Sequence, residues 1–320
     1  MGESKLQNFN HLKIHSQYSI CEGAIKIDDL KDFTKENRIR ALALCDTSNM
    51  CGALEFAEKI SKSGAQPIIG TQINFKFGET IGLLPMYALN EEGYRKIIEL
   101  SSLSFLKNNE LSEPHLNFDE LLKKNDGVAL FSGTNYGLFG ELFNKGKFNE
   151  IKKLYSELKL NFQNKFYIEI QRHGDLNEKT FEKLNLDLSL KLEIPIIATN
   201  EVFYEKKDMY EAHDALICIK NKTYINEKNR LKFTDQHYLK NNNEMTELFA
   251  DLPEALENNY NFPLRCSFRP FFSSPILPNI SSEKEGNADQ ILKKNSIEGL
   301  KEKFEKVFKV NNKDFEFNED

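Results

Sequence analysis

One feature narrows the possible folds of this chain more than any other: short apolar runs alternate with longer segments of helical period over roughly 200 residues. Runs of strand length lie at 11–14, 41–45, 67–69, 81–88, 128–131, 166–170 and 194–198. Helical patterns fall between them, near 26–37, 51–63, 91–106, 118–124, 147–160 and 177–192. A strand followed by a crossover helix, repeated at this spacing, builds a parallel sheet. Repeated this often, it suits an α/β fold closed as a seven-stranded βα barrel. The alternative is an open doubly wound sheet, but no G-x-G-x-x-G follows the first strand.

From residue 206 the pattern becomes helical, with runs at 206–219, 243–250 and 253–262. The stretch SFRPFFSSPILPNISS (267–282) is rich in proline and serine without period and reads as a linker. A lysine-rich helix near 287–309 follows; its interleaved glutamates make it a solvated face rather than a DNA contact. The final NNKDFEFNED reads as a frayed or cut end. The expected domains are therefore 1–265, with the barrel at about 9–205 and accessory helices at 206–265, and a separate segment, 266–320.

Composition excludes some function classes. A net charge of −6 argues against a whole-surface fit to DNA, which needs clustered Lys and Arg. Cys21, Cys45, Cys51, Cys218 and Cys266 show no C-x-x-C pairing and suit reduced core thiols in a cytoplasmic protein. No apolar run approaches membrane-span length, and the polar N-terminus is not a signal peptide, so no membrane partner is expected.

In a βα barrel the chemistry lies at the C-terminal ends of the strands. Those ends carry His15, Asp46 and Thr47, Gln72, Thr134, Glu169 with His173, and Glu201. So many polar strand ends mark a site, but the set is poor as a metal cage. Hydrolytic di- or trinuclear centres need several His and Asp/Glu, whereas the amide of Gln72 and the hydroxyl of Thr134 are neutral, weak ligands. His15 reads as a structural histidine or a residual ligand, and Glu169 and His173 as structural or site-facing. His213, on a helix, reads as a core or surface residue.

The stretch HLKIHSQYSICEG (11–23) resembles the first motif of the PHP phosphoesterase domain, in the version found in bacterial DNA polymerase III alpha subunits. ALALCDTSNMCGALEFAEKISKSGAQPIIG, FYIEIQRHGDLNE, IPIIATNEVFY and YLKNNNEMTELFADLPEALENNYNF resemble later blocks of the same family. The resemblance implies a distorted barrel of PHP type, then helices, then the start of a polymerase palm. It also implies a metal cage opening on an H-x-H pair, and here this chain departs. Lys13 stands for the first histidine, Thr47 for a histidine beside Asp46, Gln72 for a glutamate, Leu83 for a histidine, Thr134 for a Cys or His, and Phe203 for the closing histidine. His15, Glu22 and Glu201 remain competent ligands.

By this resemblance the chain is expected to be a scaffold with a decayed metal site. It would dock the proofreading exonuclease subunit, support the remainder of the alpha subunit, and meet DNA only through the full-length protein. No cofactor is expected. Lys13 would pair with Glu22 or Glu201 where a cation once sat, or face solvent. The competing expectation is an active 3′–5′ exonuclease or phosphoesterase using zinc or manganese through His15, Glu22, Asp46, Glu169, His173 and Glu201. A free-standing small-molecule phosphatase fits the post-barrel segments less well. Polymerisation needs the paired aspartates and magnesium of the palm. Asp289, Asp314 and Asp320 do not form that pair.

Overall fold

The computed structural model describes residues 9–108, 112–276 and 287–310. The frayed end expected at 311–320, with Asp314 and Asp320, and the linker residues 277–282 lie outside the described residues. The chain divides into two compact units at Phe271/Phe272.

The first unit is built on strands β1 (Lys13–Ile14), β2 (Ala41–Thr47), β3 (Gln66–Phe77), β4 (Thr80–Ala88), β5 (Leu116–Asn117), β6 (Val128–Phe131), β7 (Phe166–Ile170), β8 (Ile196–Ala198) and β9 (Glu201–Val202). Their order is β8-β7-β6-β4-β3-β2-β1-β9, with β5 alongside β3. β8 pairs with β7 and β9 pairs with β1, yet only Thr199 and Asn200 separate them. The segment Ile196–Val202 therefore joins the two ends of the sheet, and seven strand positions curl into the expected distorted barrel.

Side-chain alternation divides the apolar residues into inner and outer layers. Ala41, Ala43, Cys45, Ile68, Tyr87, Ala129, Phe131, Tyr167 and Ile197 form one inner cluster closed by Phe262. Their neighbours Leu42 and Leu44, or Val128, Leu130, Phe166 and Ile168, pack outward against helices. The helices of the barrel are α1 (Ile27–Glu36), α2 (Ala53–Lys62), α3 (Glu91–Leu106), α4 (Phe118–Lys123), α5 (Leu138–Asn144), α6 (Phe148–Phe162) and α7 (Glu178–Leu192).

Two expectations are corrected. The sheet is not all parallel, because β4 runs antiparallel to both β3 and β6. The cause is the Phe77–Thr80 hairpin, whose Gly78 has φ +57, a conformation glycine adopts without strain. β3 is also much longer than 67–69, since its second half pairs with β4. The short helix α5 was not anticipated; at seven residues it shows too little period.

After the barrel come α8 (Tyr210–Asn221), α9 (Asn242–Leu248) and α10 (Pro253–Asn261). They are fastened to the barrel by polar contacts. Asn259, fully buried, accepts from Asn10 N at 2.8 Å and donates to the carbonyls of Asn10 (2.8 Å) and Ala198 (3.0 Å). Asn259→Ala leaves those backbone groups buried and unpaired, so it should cost about 2–3 kcal/mol. A urea midpoint unchanged from wild type would contradict this. In the second unit, α11 (Ala288–Val310) is a single charged helix. No helix among the described residues is long and apolar enough to cross a membrane.

Candidate functional site

At the barrel mouth the backbone brings Lys13, His15, Glu169 and Glu201 together. β1 pairs with β9 in the register Lys13↔Glu201, which fixes the lysine beside the glutamate. Lys13 is 1% exposed, and its Nζ lies 3.1 Å from Glu201 Oε1 and 3.9 Å from Glu169 Oε2. Of the three places foreseen for this lysine, the structure takes the pair with Glu201. Glu22 instead reaches Lys220 on α8, at 3.3 Å on the rim.

Glu201 Oε1 also meets His15 Nε2 at 3.1 Å, and the imidazole stacks on Phe203, the centroids 4.8 Å apart. The other edge of His15 faces Thr47 Oγ1 at 3.5 Å, and that hydroxyl accepts from Gln72 Nε2 at 2.9 Å. Asp46 points into its own loop, accepting from Ser16 N (2.7 Å), Ser16 Oγ (2.8 Å) and Ser19 Oγ (2.7 Å). Leu83 is half-buried on β4, and the Thr134 hydroxyl accepts from Tyr136 N at 3.1 Å. Glu169 Oε1 accepts from Thr199 Oγ1 and Gln171 Nε2, while its Oε2 is buried without a hydrogen bond.

The electrostatics follow from this packing. Burial opposes charge on Glu201, but the Lys13 ammonium and the His15 hydrogen bond outweigh it and hold the carboxyl well below the usual carboxylate range. Burial likewise opposes charge on Lys13, and the carboxylates of Glu169 and Glu201 overcome it and raise the lysine. At Glu169 burial prevails over the more distant lysine and pushes the carboxyl up. The close ion pair is therefore Lys13–Glu201.

His173 does not join this group. Its Nε2 lies 3.0 Å from Asn200 Oδ1, and its ring stacks on His237 at 4.0 Å. Sequence reading passed over Asp175, Glu178, Asn200, His237 and Lys240, all of which surround it. Nothing in their spacing announces them, since the 233–240 segment reaches the barrel mouth only through tertiary packing. One local signal existed: Glu178 accepts from His173 N and Gly174 N, closing a turn ahead of α7.

The chain is similar in sequence to known proteins over most of its length. Residues 11–173 match the PHP domain. The chain is 35% identical over 313 residues to DNA polymerase III subunit alpha of Caulobacter vibrioides, covering 95% of this chain and 27% of that protein. It is 30% identical over 304 residues to the same subunit of Vibrio cholerae, covering 94% and 26%. A solved two-domain protein from Bacteroides vulgatus, described as containing a predicted PHP-like metal-dependent phosphoesterase, aligns over 74% of this chain and 62% of that one (TM-score 0.41, 14% identity). The chain thus spans about a quarter of the length of the curated relatives it matches. It belongs to the PHP domain family, and the relatives it resembles over nearly its whole length are alpha subunits of bacterial DNA polymerase III.

Proposed function

We propose that this chain is the PHP module of a replicative DNA polymerase III alpha subunit, a scaffold that supports the polymerase and docks its proofreading exonuclease. In this reading the module works in the cytoplasm and reaches DNA through the whole subunit. One observation carries the scaffold role: a buried ammonium, Lys13 Nζ, sits between Glu201 and Glu169 at the barrel mouth. An ammonium there repels cations, and Phe203 and Leu83 offer no donor atoms. The family's metal cluster does not fit this set of side chains. Lys13 supplies the positive charge that keeps Glu201 ionised without an ion.

An active exonuclease or phosphoesterase would need Glu22, Asp46 and His173 to converge with His15 and Glu201. Here Glu22 faces Lys220, Asp46 faces two serines and His173 faces Asn200. The docking role is tested by titrating the chain with the cognate exonuclease subunit and following complex formation by ultracentrifugation. A stoichiometric complex is expected. Two species sedimenting independently would remove the docking role.

A further inference from the structure

Beside the Lys13 pair, a second cluster joins His173 to residues for which the resemblance foresees no part, Asp175 and His237, and its unpartnered buried atoms point to a cation. His237 is fully buried, and its Nδ1 lies 3.1 Å from the Glu201 carbonyl. A carbonyl only accepts, so Nδ1 carries a proton and Nε2 is the nitrogen turned toward the cluster. Nε2 lies 3.2 Å from Asp175 Oδ2, donating to it while protonated and open to a metal ion once that proton is displaced. His173 likewise has one nitrogen tied to an oxygen outside the cluster. The amide of Asn200 donates from Nδ2 to the Tyr238 carbonyl at 2.9 Å, so Oδ1 is the atom that meets His173 Nε2 and Lys240 Nζ. Nε2 of His173 therefore carries the proton, and Nδ1 presents a lone pair.

That Nδ1 is buried without a hydrogen-bond partner, and so is Asp175 Oδ1. Glu178 Oε1 stands 3.5 Å from Nδ1, a second acceptor facing a lone pair. Ligand atoms of His173, Asp175 and His237 all fall within 4.8 Å of one another. The cluster thus holds an unpartnered imidazole nitrogen on His173 and an unpartnered carboxylate oxygen on Asp175, with His237 Nε2 on the other oxygen of that carboxylate. Each imidazole has its outer N–H tied to an oxygen, as in metal-bound histidines.

We propose that His173, Asp175 and His237 bind one divalent transition-metal ion, at a position outside the family's metal cage. The donor set of two imidazoles and a carboxylate suits zinc, manganese or iron(II) better than calcium or magnesium. The rings now stack with planes 8° apart. Lone pairs lie in the ring planes, so one ion cannot meet both until a ring turns out of the stack. Loading therefore separates the rings, and the metal–ligand bonds outweigh the stacking they replace.

The test is equilibrium dialysis of the whole chain against zinc alone, with elemental analysis after desalting. Cobalt absorption and the histidine ring NMR signals serve as readouts independent of retention. About one ion per chain is expected, with the His173 and His237 signals displaced. His237→Gln and Asp175→Asn, which preserve shape, should each weaken binding at least tenfold. His15→Ala, in the Lys13 cluster, should leave it unchanged. Wild-type protein that retains no zinc would overturn the proposal, as would retention indifferent to His237→Gln and Asp175→Asn. A second ion lost with His15→Ala would count against the decayed cage instead, so the two readings fail separately.

Discussion

Lys13→Ala is expected to lower the unfolding free energy by about 3–5 kcal/mol, the range for breaking one side of a buried ion pair. The cost comes from what remains. Glu201 would keep its hydrogen bond from His15 but lose the ammonium 3.1 Å away, inside a barrel mouth that water barely reaches. A surface lysine would cost about 0.5 kcal/mol or less. The sharper test is a double-mutant cycle in urea. Lys13→Met with Glu201→Gln removes both charges, and replacing a whole buried pair with uncharged groups is often near neutral. The double variant should therefore be more stable than Lys13→Ala. Equal destabilisation in both would show that packing, rather than the pair, holds this corner. A melting temperature unchanged in Lys13→Ala would remove the account altogether.

Acid should loosen this protein well above the pH at which ordinary carboxylates titrate. His11 and His213 are both pushed down to about 4, chiefly by burial, while their Nε2 atoms meet the carbonyls of Lys240 and Glu22. In the unfolded chain each returns to about 6.5. Between those values the unfolded state binds more protons than the folded one, so stability falls as pH falls through the window. The slope is about 1.4 kcal/mol per pH unit for each histidine, or about 2 kcal/mol each by pH 5. Asp46, Glu169 and Glu178, whose carboxyls burial pushes up, take up protons in the folded state and offset part of the loss. Below the carboxylate range Glu201, held low by Lys13, adds to it. Urea midpoints at several pH values between 7.5 and 5 should decline, and His11→Phe should flatten the decline. A flat profile in wild type would contradict the burial of these imidazoles.

Much of the barrel was legible because side-chain alternation and helical period are local. Each of the seven anticipated strands has a counterpart, and α3 ends where its pattern ended. The antiparallel turn was also written locally, in the Gly78-Glu79 step between alternating runs. The competent and substituted positions were set apart by the resemblance to the family's motifs, which run along the chain and are read without its fold. Against the family's H-x-H pair, Lys13 stood out as a departure.

Its partner was not. Glu22 and Glu201 were equally open choices along the chain, and only the pairing of β1 with β9 put Glu201 within reach. The cluster of His173, Asp175 and His237 was hidden for the same reason. Its members join a loop after β7 to a segment more than sixty residues later, where His237 Nδ1 finds a carbonyl of β9. Sequence determined which side chains stand at the strand ends. Only the tertiary structure decided which of them face each other, because a charge contact depends on ångströms that no periodicity encodes.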